Sequence, residues 1–299
     1  MSRWKRPSAT LMVSVLLTLA AVLAFIGMLA VFVAQSAPVW RLEGWWFFTQ
    51  KQWFYRQQMF GIAPMLYGTV AVAAMALLVA TPAGIGTAVF ASEFLPRRAR
   101  LAVKMAIELL AGIPSVVYGL LGIVLLRDWI YRALQPFDPL SGDTLLTAGL
   151  LLGVMLLPTL MTLSDDALRS VPASQRLAAR GLGLTATETV LRVTLPQAWP
   201  GLLGALLLAG GRALGEMIAV FLVVGRQDNQ WPASLFSLRP LAEAGQTLSS
   251  KLGGPEINIA YGDPLHWAAM VALGLVLLVL VATLTLVGTL IRRRKPHAP

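Results

Sequence analysis

Six stretches of this chain are each apolar for about 20 residues or more, the length a helix needs to cross the roughly 30 Å core of a bilayer. They cover residues 9–34, 64–90, 103–126, 144–163, 200–225 and 267–291. Within hydrocarbon every backbone polar group must be satisfied by the protein itself, so spans of this kind are helices. Composition agrees. Charged residues make up 13% of the chain, against roughly a quarter in a soluble domain. The expected fold class is an all-α membrane protein with six transmembrane helices.

Alternating spans place the connecting segments on two sides. One side collects fifteen of the 24 Lys and Arg: Arg3, Lys5, Arg6, Arg97, Arg98, Arg100, Lys104, Arg169, Arg176, Arg180, Arg192, Arg292, Arg293, Arg294 and Lys295. The other collects eight, and Arg212 is the remaining one. The richer side is expected to be cytoplasmic, with both termini inside. The net charge of +10 then reflects loops held on one face of a membrane rather than a nucleic-acid partner. "MSRWKR" and "AQSA" (Ala34–Ala37) imitate a cleaved signal peptide. The apolar run between them is 26 residues, well beyond the roughly 7–15 of such a peptide, so an uncleaved anchor is expected.

Several chemistries are excluded. The chain has no cysteine, hence no disulfide, thiolate metal site or cysteine nucleophile. His266 and His297 are far apart, so no metal cluster is readable. No G-x-x-x-x-G-K-[ST] stretch exists to cradle ATP phosphates, and no Ser/His/Asp set suggests an enzyme.

The fifth apolar stretch carries Arg212 and Glu216 near its middle. Four residues apart, they are expected on one helical face, with Gly215 between them and Gly204 and Gly211 in a stripe beside it. Small residues admit a close neighbouring helix. A central charge costs on the order of 3 kcal/mol even on a lenient insertion scale, so it points to a task rather than to lipid. Arg212 is the better anion ligand, because its fork of N–H donors matches a tetrahedral oxyanion. Glu216 could orient that fork, or accept a hydrogen bond from hydrogenphosphate. The alternative is an ion pair that only fixes helix packing.

In "IELLAGIPSVVYGLLG" (Ile107–Gly122), Glu108, Gly112, Ser115, Gly119 and Gly122 fall on one face at helical spacing. Pro114 removes a donor and frees a carbonyl near Leu110. The stripe could line a pathway, with Ser115 and Tyr118 offering hydroxyls, or serve close packing at a proline kink. Glu108 lies one turn after Lys104 and could be a surface pair. The segment at about 164–199 reads as a small-residue helix, a glycine break at Gly183, and a second helix from Thr185, whose Thr-Ala-Thr-Glu has capping-box spacing. Such a helix across the inner face is a handle for a cytosolic partner, or else a plain interfacial helix. On the other side, "WWFFTQKQWFYRQ" (Trp45–Gln57) is expected at the headgroup level, with a docking surface as the second reading. A short helix is expected around Leu238–Leu252.

"LAARGLG…VTLP" resembles the EAA loop of importer-type ABC permeases, E-A-A-x3-G-x9-I-x-L-P, at every spacing. With "AGIPSVVYG" and "GRALGEMIAV" in this order, residues 60–225 resemble the PstC family of phosphate permease subunits. The resemblance implies the MetI-like fold of six helices in the bacterial inner membrane. It implies a coupling contact to an ATPase through Leu177, Ala178, Ala179 and Gly183, ended by Leu195 and Pro196. It implies a second permease subunit (PstA-like), an ATPase dimer (PstB-like) that binds the ATP, and a periplasmic phosphate-binding protein (PstS-like). No cofactor is expected in this chain. Two positions depart from the family. Leu177 stands where the motif has Glu, and Met217 stands where these subunits usually have Thr.

The expected organisation is an anchor helix and periplasmic aromatic loop over 1–63, a permease core over 64–291, and a basic cytoplasmic tail over 292–299. The expected function is the passage of inorganic phosphate driven by a separate ATPase. Permeases for molybdate or tungstate are rivals within the class. A self-sufficient secondary transporter is the rival from another, and a membrane-bound enzyme a poor third.

Overall fold

The computed structural model describes residues 9–137, 140–234 and 239–293. The N-terminal basic cluster (Arg3, Lys5, Arg6) and Arg294 and Lys295 of the tail lie outside the described residues. Helix α1 spans Ala9–Glu43 and a short α2 spans Trp46–Thr49. A two-stranded antiparallel hairpin, β1 (Trp53–Phe54) and β2 (Met59–Phe60), follows, with Trp53 opposite Phe60. Then come α3 (Ala63–Glu93), α4 (Arg97–Ala111), α5 (Ser115–Leu121), α6 (Arg127–Leu134) and α7 (Leu145–Arg169). The second half holds α8 (Ala173–Gly181), α9 (Ala186–Thr189), α10 (Leu195–Gly215), α11 (Ile218–Val223), α12 (Leu248–Leu252), α13 (Glu256–Ala260) and α14 (Pro264–Arg293). Five helical runs are long and apolar enough to cross a membrane, and the bent pair α4 with α5–α6 makes a sixth.

The third expected span is not straight. The chain turns by 88° between Ala111 and Ser115. Pro114 lacks an N–H and disfavours helical backbone at Ile113, so the helix must stop and restart. Glu108 and Gly112 therefore do not share a face with Ser115, Gly119 and Gly122. The fifth span is also interrupted. Its helix runs on from a π-turn at Val190–Thr194, ends at Gly215, and leaves Glu216 extended (φ −72°, ψ 117°). Glu216 thus falls beyond the helix that carries Arg212, and the one-face expectation fails. On the far loop, the expected helix at Leu238–Leu252 shrinks to α12, preceded by a 3-10 turn at Arg239–Ala242. Leu238 lies outside the described residues.

Glycines set the bundle's closest approaches. A Cβ at Gly149 would stand 2.7 Å from Met75 of α3, and one at Gly84 would stand 2.8 Å from Leu160 of α7. The Gly204 and Gly211 stripe packs on α14, against Gly288 O and Thr285 Oγ1. Gly119 and Gly122 pack on Leu222 and Val223 of α11. Buried residues of α3, α5, α7, α10 and α11 form the central core. By contrast, α1 leaves its apolar side chains outward and meets the bundle mainly along α14.

Phe47, Trp53 and Phe60 are buried against α14 and α12, while Trp45 and Trp46 stay exposed. This cap closes one end of the bundle. The α8–α9 segment occupies the opposite end, where Arg292 of α14 meets Asp166 of α7 at 3.1 Å.

Candidate functional site

Arg212 lies in the last turn of α10, on a side of the bundle that is open in this chain. Its Nη1 donates to Thr159 Oγ1 of α7 at 3.0 Å. Among the described residues no carboxylate lies within 4.0 Å of the guanidinium, so the packing ion pair with Glu216 is not formed. Gly215 next to it has no neighbour within 4 Å of a built Cβ. Glu216 instead turns to the next helix, accepting from Ala219 N at 3.5 Å. The chain therefore breaks where its charges are, and the break exposes an unneutralised fork of donors beside an open space.

Met217, in the break, packs against the turn after α12. A Cβ on Gly253 would stand 2.6 Å from Met217 Cγ. The Met217 side chain thus fills space toward the cap.

The Gly112–Pro114 break brings Tyr118 to this region from the other side. Tyr118 is buried, and its hydroxyl donates to Leu110 O at 2.9 Å. The Leu110 carbonyl at the bend, which takes only a long bond from Ile113 N at 3.3 Å, is thus satisfied by a side chain eight residues on, as irregular backbone at membrane depth requires. The Arg212 charge is within electrostatic range of that hydroxyl. Ser115, half-buried, opens α5 on the same side of the break.

The α8–α9 segment is built as its residues dictate. Leu184 N donates to Ala179 O at 3.2 Å and Gly183 N to Arg180 O at 3.0 Å, which closes α8 with Gly183 at φ +90°. Only glycine adopts this left-handed closure without strain. Thr185 and Glu188 form a full capping box on α9. Leu177 (67% exposed), Ala178 and Leu182 face outward, while Ala179 is buried toward the bundle. Leu195 is half-buried and Pro196 exposed where the π-turn at Val190–Thr194 runs on into α10. The free end face is therefore apolar at Leu177 and Leu182.

Sequence reasoning missed three things. Thr159 follows a mid-span proline in an apolar run, and that pairing was the available signal. Arg176 of α8 holds Glu93 of α3 at 2.6 Å, a long-range pair with no sequence signature. The third is a buried polar knot in the cap. Lys251, 2% exposed, pairs with Asp228 at 2.6 Å and with Glu256. Glu256 also accepts from the Trp53 indole and lies 2.9 Å from His266 Nε2. Burial pushes the Glu256 carboxyl up. The His266 hydrogen bond, the Lys251 charge and hydrogen bond, and Trp53 outweigh that and hold it at about 2, below its ordinary 4.5. Burial pushes Asp228 up, against the pull of Lys251.

Residues 80–296 match the family described as "binding-protein-dependent transport system inner membrane component". A phosphate transport system permease protein PstC from Mesorhizobium japonicum is 36% identical over 253 residues, covering 79% of this chain and 75% of that protein. PstC 1 of Mycobacterium tuberculosis is 34% identical over 282 residues, covering 83% and 81%. The inward-facing MetNI methionine ABC transporter superposes with a TM-score of 0.56 at 18% identity, covering 79% of this chain and 95% of that one. That last likeness speaks to the fold alone.

Proposed function

The chain belongs to the family of binding-protein-dependent transport system inner membrane components, and from that premise we propose that it is the permease subunit of an ATP-binding-cassette importer for inorganic phosphate. It is a multi-pass protein of the bacterial inner membrane and works in a complex with other subunits. The finer assignment is a PstA-like second permease, a PstB-like ATPase dimer that binds the ATP, and a PstS-like periplasmic phosphate-binding protein. In this reading the α8–α9 end is cytoplasmic and the aromatic cap periplasmic. Residues 1–63 are the anchor and outer loop, 64–291 the permease core, and 292–299 a basic cytoplasmic tail.

The observation that carries the reading is the unpaired Arg212 fork at a helix break, facing open space. A charge left so at membrane depth is tolerated where water or a partner covers it. Thr159 holds one arm of the fork, and the remaining N–H groups are free to grip the oxygens of a tetrahedral anion. Glu216, one residue past the helix, accepts a hydrogen bond from a protonated oxyanion such as hydrogenphosphate. Ser115 and Tyr118 flank the passage. Outward-facing Leu177 and Ala178 of α8 meet the ATPase, and Ala179 and Gly183 shape the helix end. Leu195 and Pro196 carry the chain back into the bundle.

The test is uptake of inorganic phosphate by the assembled complex. Arg212→Ala is expected to lower uptake at least a hundredfold while the complex still assembles. Normal uptake in that variant refutes the site. Stronger competition by molybdate or tungstate than by unlabelled phosphate refutes the substrate.

A further inference from the structure

Arg176 precedes Leu177 in α8, and its guanidinium holds two different helices of the bundle. Nη1 lies 2.6 Å from Glu93 Oε1, the last residue of α3, whose side chain is only 4% exposed. Nη2 donates to Leu168 O in the last turn of α7. Both anchors are helix C-termini, where the backbone favours a cation. A planar fork held at two points also fixes direction, which a single ion pair does not.

The covalent link from α7 to α8 is only Ser170–Pro172, a short hinge. Without a brace α8 could swing on it. The bodies that Arg176 braces against are themselves joined tightly. Helices α3 and α7 make the most extensive helix–helix contact in the described fold. Glycines at 84, 149 and 153 let them interlock, a Cβ at Gly153 meeting Val79 at 3.3 Å. The pair runs from α8 to the opposite end. There Thr69 Oγ1 of α3 accepts from Leu248 N at 2.9 Å, and Leu145 N of α7 donates to Glu243 O at 3.1 Å. Midway, α7 carries Thr159, the partner of Arg212.

We infer that Arg176 is the positioning residue that locks α8 to the α3–α7 pair, so that displacement of α8 is carried along that pair to Thr159 and the Leu248 turn. Sliding of α7 against α10 then takes Thr159 from Arg212 and frees a further donor for the anion. This rests on the reading of α8 as the helix that meets the ATPase.

The test uses the full complex in proteoliposomes, with ATP hydrolysis and inorganic phosphate uptake measured together. Arg176→Ala is expected to keep basal ATP hydrolysis, measured without the binding protein, within about threefold of wild type and to raise the ATP used per phosphate at least fivefold. An unchanged ratio overturns the inference. If that variant does not assemble, Glu93→Cys/Arg176→Cys decides, since the chain has no other cysteine. Bridged by a short, reducible bis-thiosulfonate, it is expected to transport at the wild-type ratio. Inactivity that reduction reverses overturns the rigid joint. A wild-type complex that hydrolyses ATP but imports no phosphate refutes the substrate reading alone. The joint is then read from stimulation of hydrolysis by the complex's own binding protein as purified, which Arg176→Ala is expected to lower at least fivefold. Full stimulation in that variant overturns it.

Discussion

Replacing Glu256 with glutamine keeps the shape of the cap and removes one negative charge from beside a lysine that is 2% exposed. The amide oxygen can still accept from the Trp53 indole, while the amide NH2 takes the place of the oxygen that faces Lys251, so the charge and its bond to the ammonium are lost together. Two routes give the magnitude. The carboxyl sits at about 2 instead of 4.5. At about 1.36 kcal/mol per unit this corresponds to about 3 kcal/mol of stabilisation. Glu256 keeps 16% of its side chain exposed, so solvent screening lowers that to about 2–3 kcal/mol. Breaking a buried pair by removing one partner costs about 3–5 kcal/mol. Asp228 remains on Lys251 and recovers part of the loss, which puts the net at about 2 kcal/mol. That is about a thirtyfold rise in the opening equilibrium. The assay is amide hydrogen exchange at Trp53, Phe60 and Leu248–Leu252 in the detergent-purified protein. The pH sign follows from a depressed acid. Its contribution is complete above the unfolded value of about 4.5 and is lost as pH falls toward about 2. Wild-type protection of the cap, corrected for intrinsic rates, should decline over that window, and the Gln variant should show less decline. Exchange within about threefold of wild type at neutral pH would refute the reasoning, as would flat wild-type protection between about pH 5 and 3.

Tyr118→Phe removes the donor that satisfies Leu110 O, which keeps a weaker bond from Ile113 N at 3.3 Å. The expected loss is about 0.6–1 kcal/mol in thermal unfolding, with the KM for phosphate unchanged. A KM rise above about threefold would instead give the hydroxyl a direct part in the pathway. Gly119→Val drives a Cβ to 2.5 Å from Leu222 and 3.2 Å from Ala219 Cα. It should cost about 1–3 kcal/mol and lower the melting temperature of the complex, and a wild-type melt would show that α5 and α11 are not in close register.

Much of the architecture was legible because it rests on local, one-dimensional quantities. Apolar run length marks spans: four of the six stretches each fall on one helix, the third on a bent pair, and the fifth on α10 and α11 with a break between them. Backbone chemistry marks stops. Gly183 and the Thr185–Glu188 box fall where the spacing puts them, since a left-handed turn and an N-cap need only a few neighbouring residues. Pro114 signalled a disturbance, but its size did not follow, because a kink and a turn of 88° differ only in what surrounds them. The Arg212–Glu216 spacing misled for the same reason. A four-residue interval means one face only if the helix continues, and this one ends at Gly215.

From its order of residues alone, then, this protein's class was settled: a bundle of membrane helices with charges set into one apolar stretch and a short capped helix at one end. Apolar length, lone charges and capping motifs act within a turn or two of chain, so they can be read along it. Which partner each charge keeps was settled only in three dimensions. Thr159 is 53 residues from Arg212, Glu93 is 83 from Arg176, and Asp228 is 23 from Lys251. Such pairings depend on how helices cross and where loops fold back, and no local periodicity encodes a meeting between distant segments.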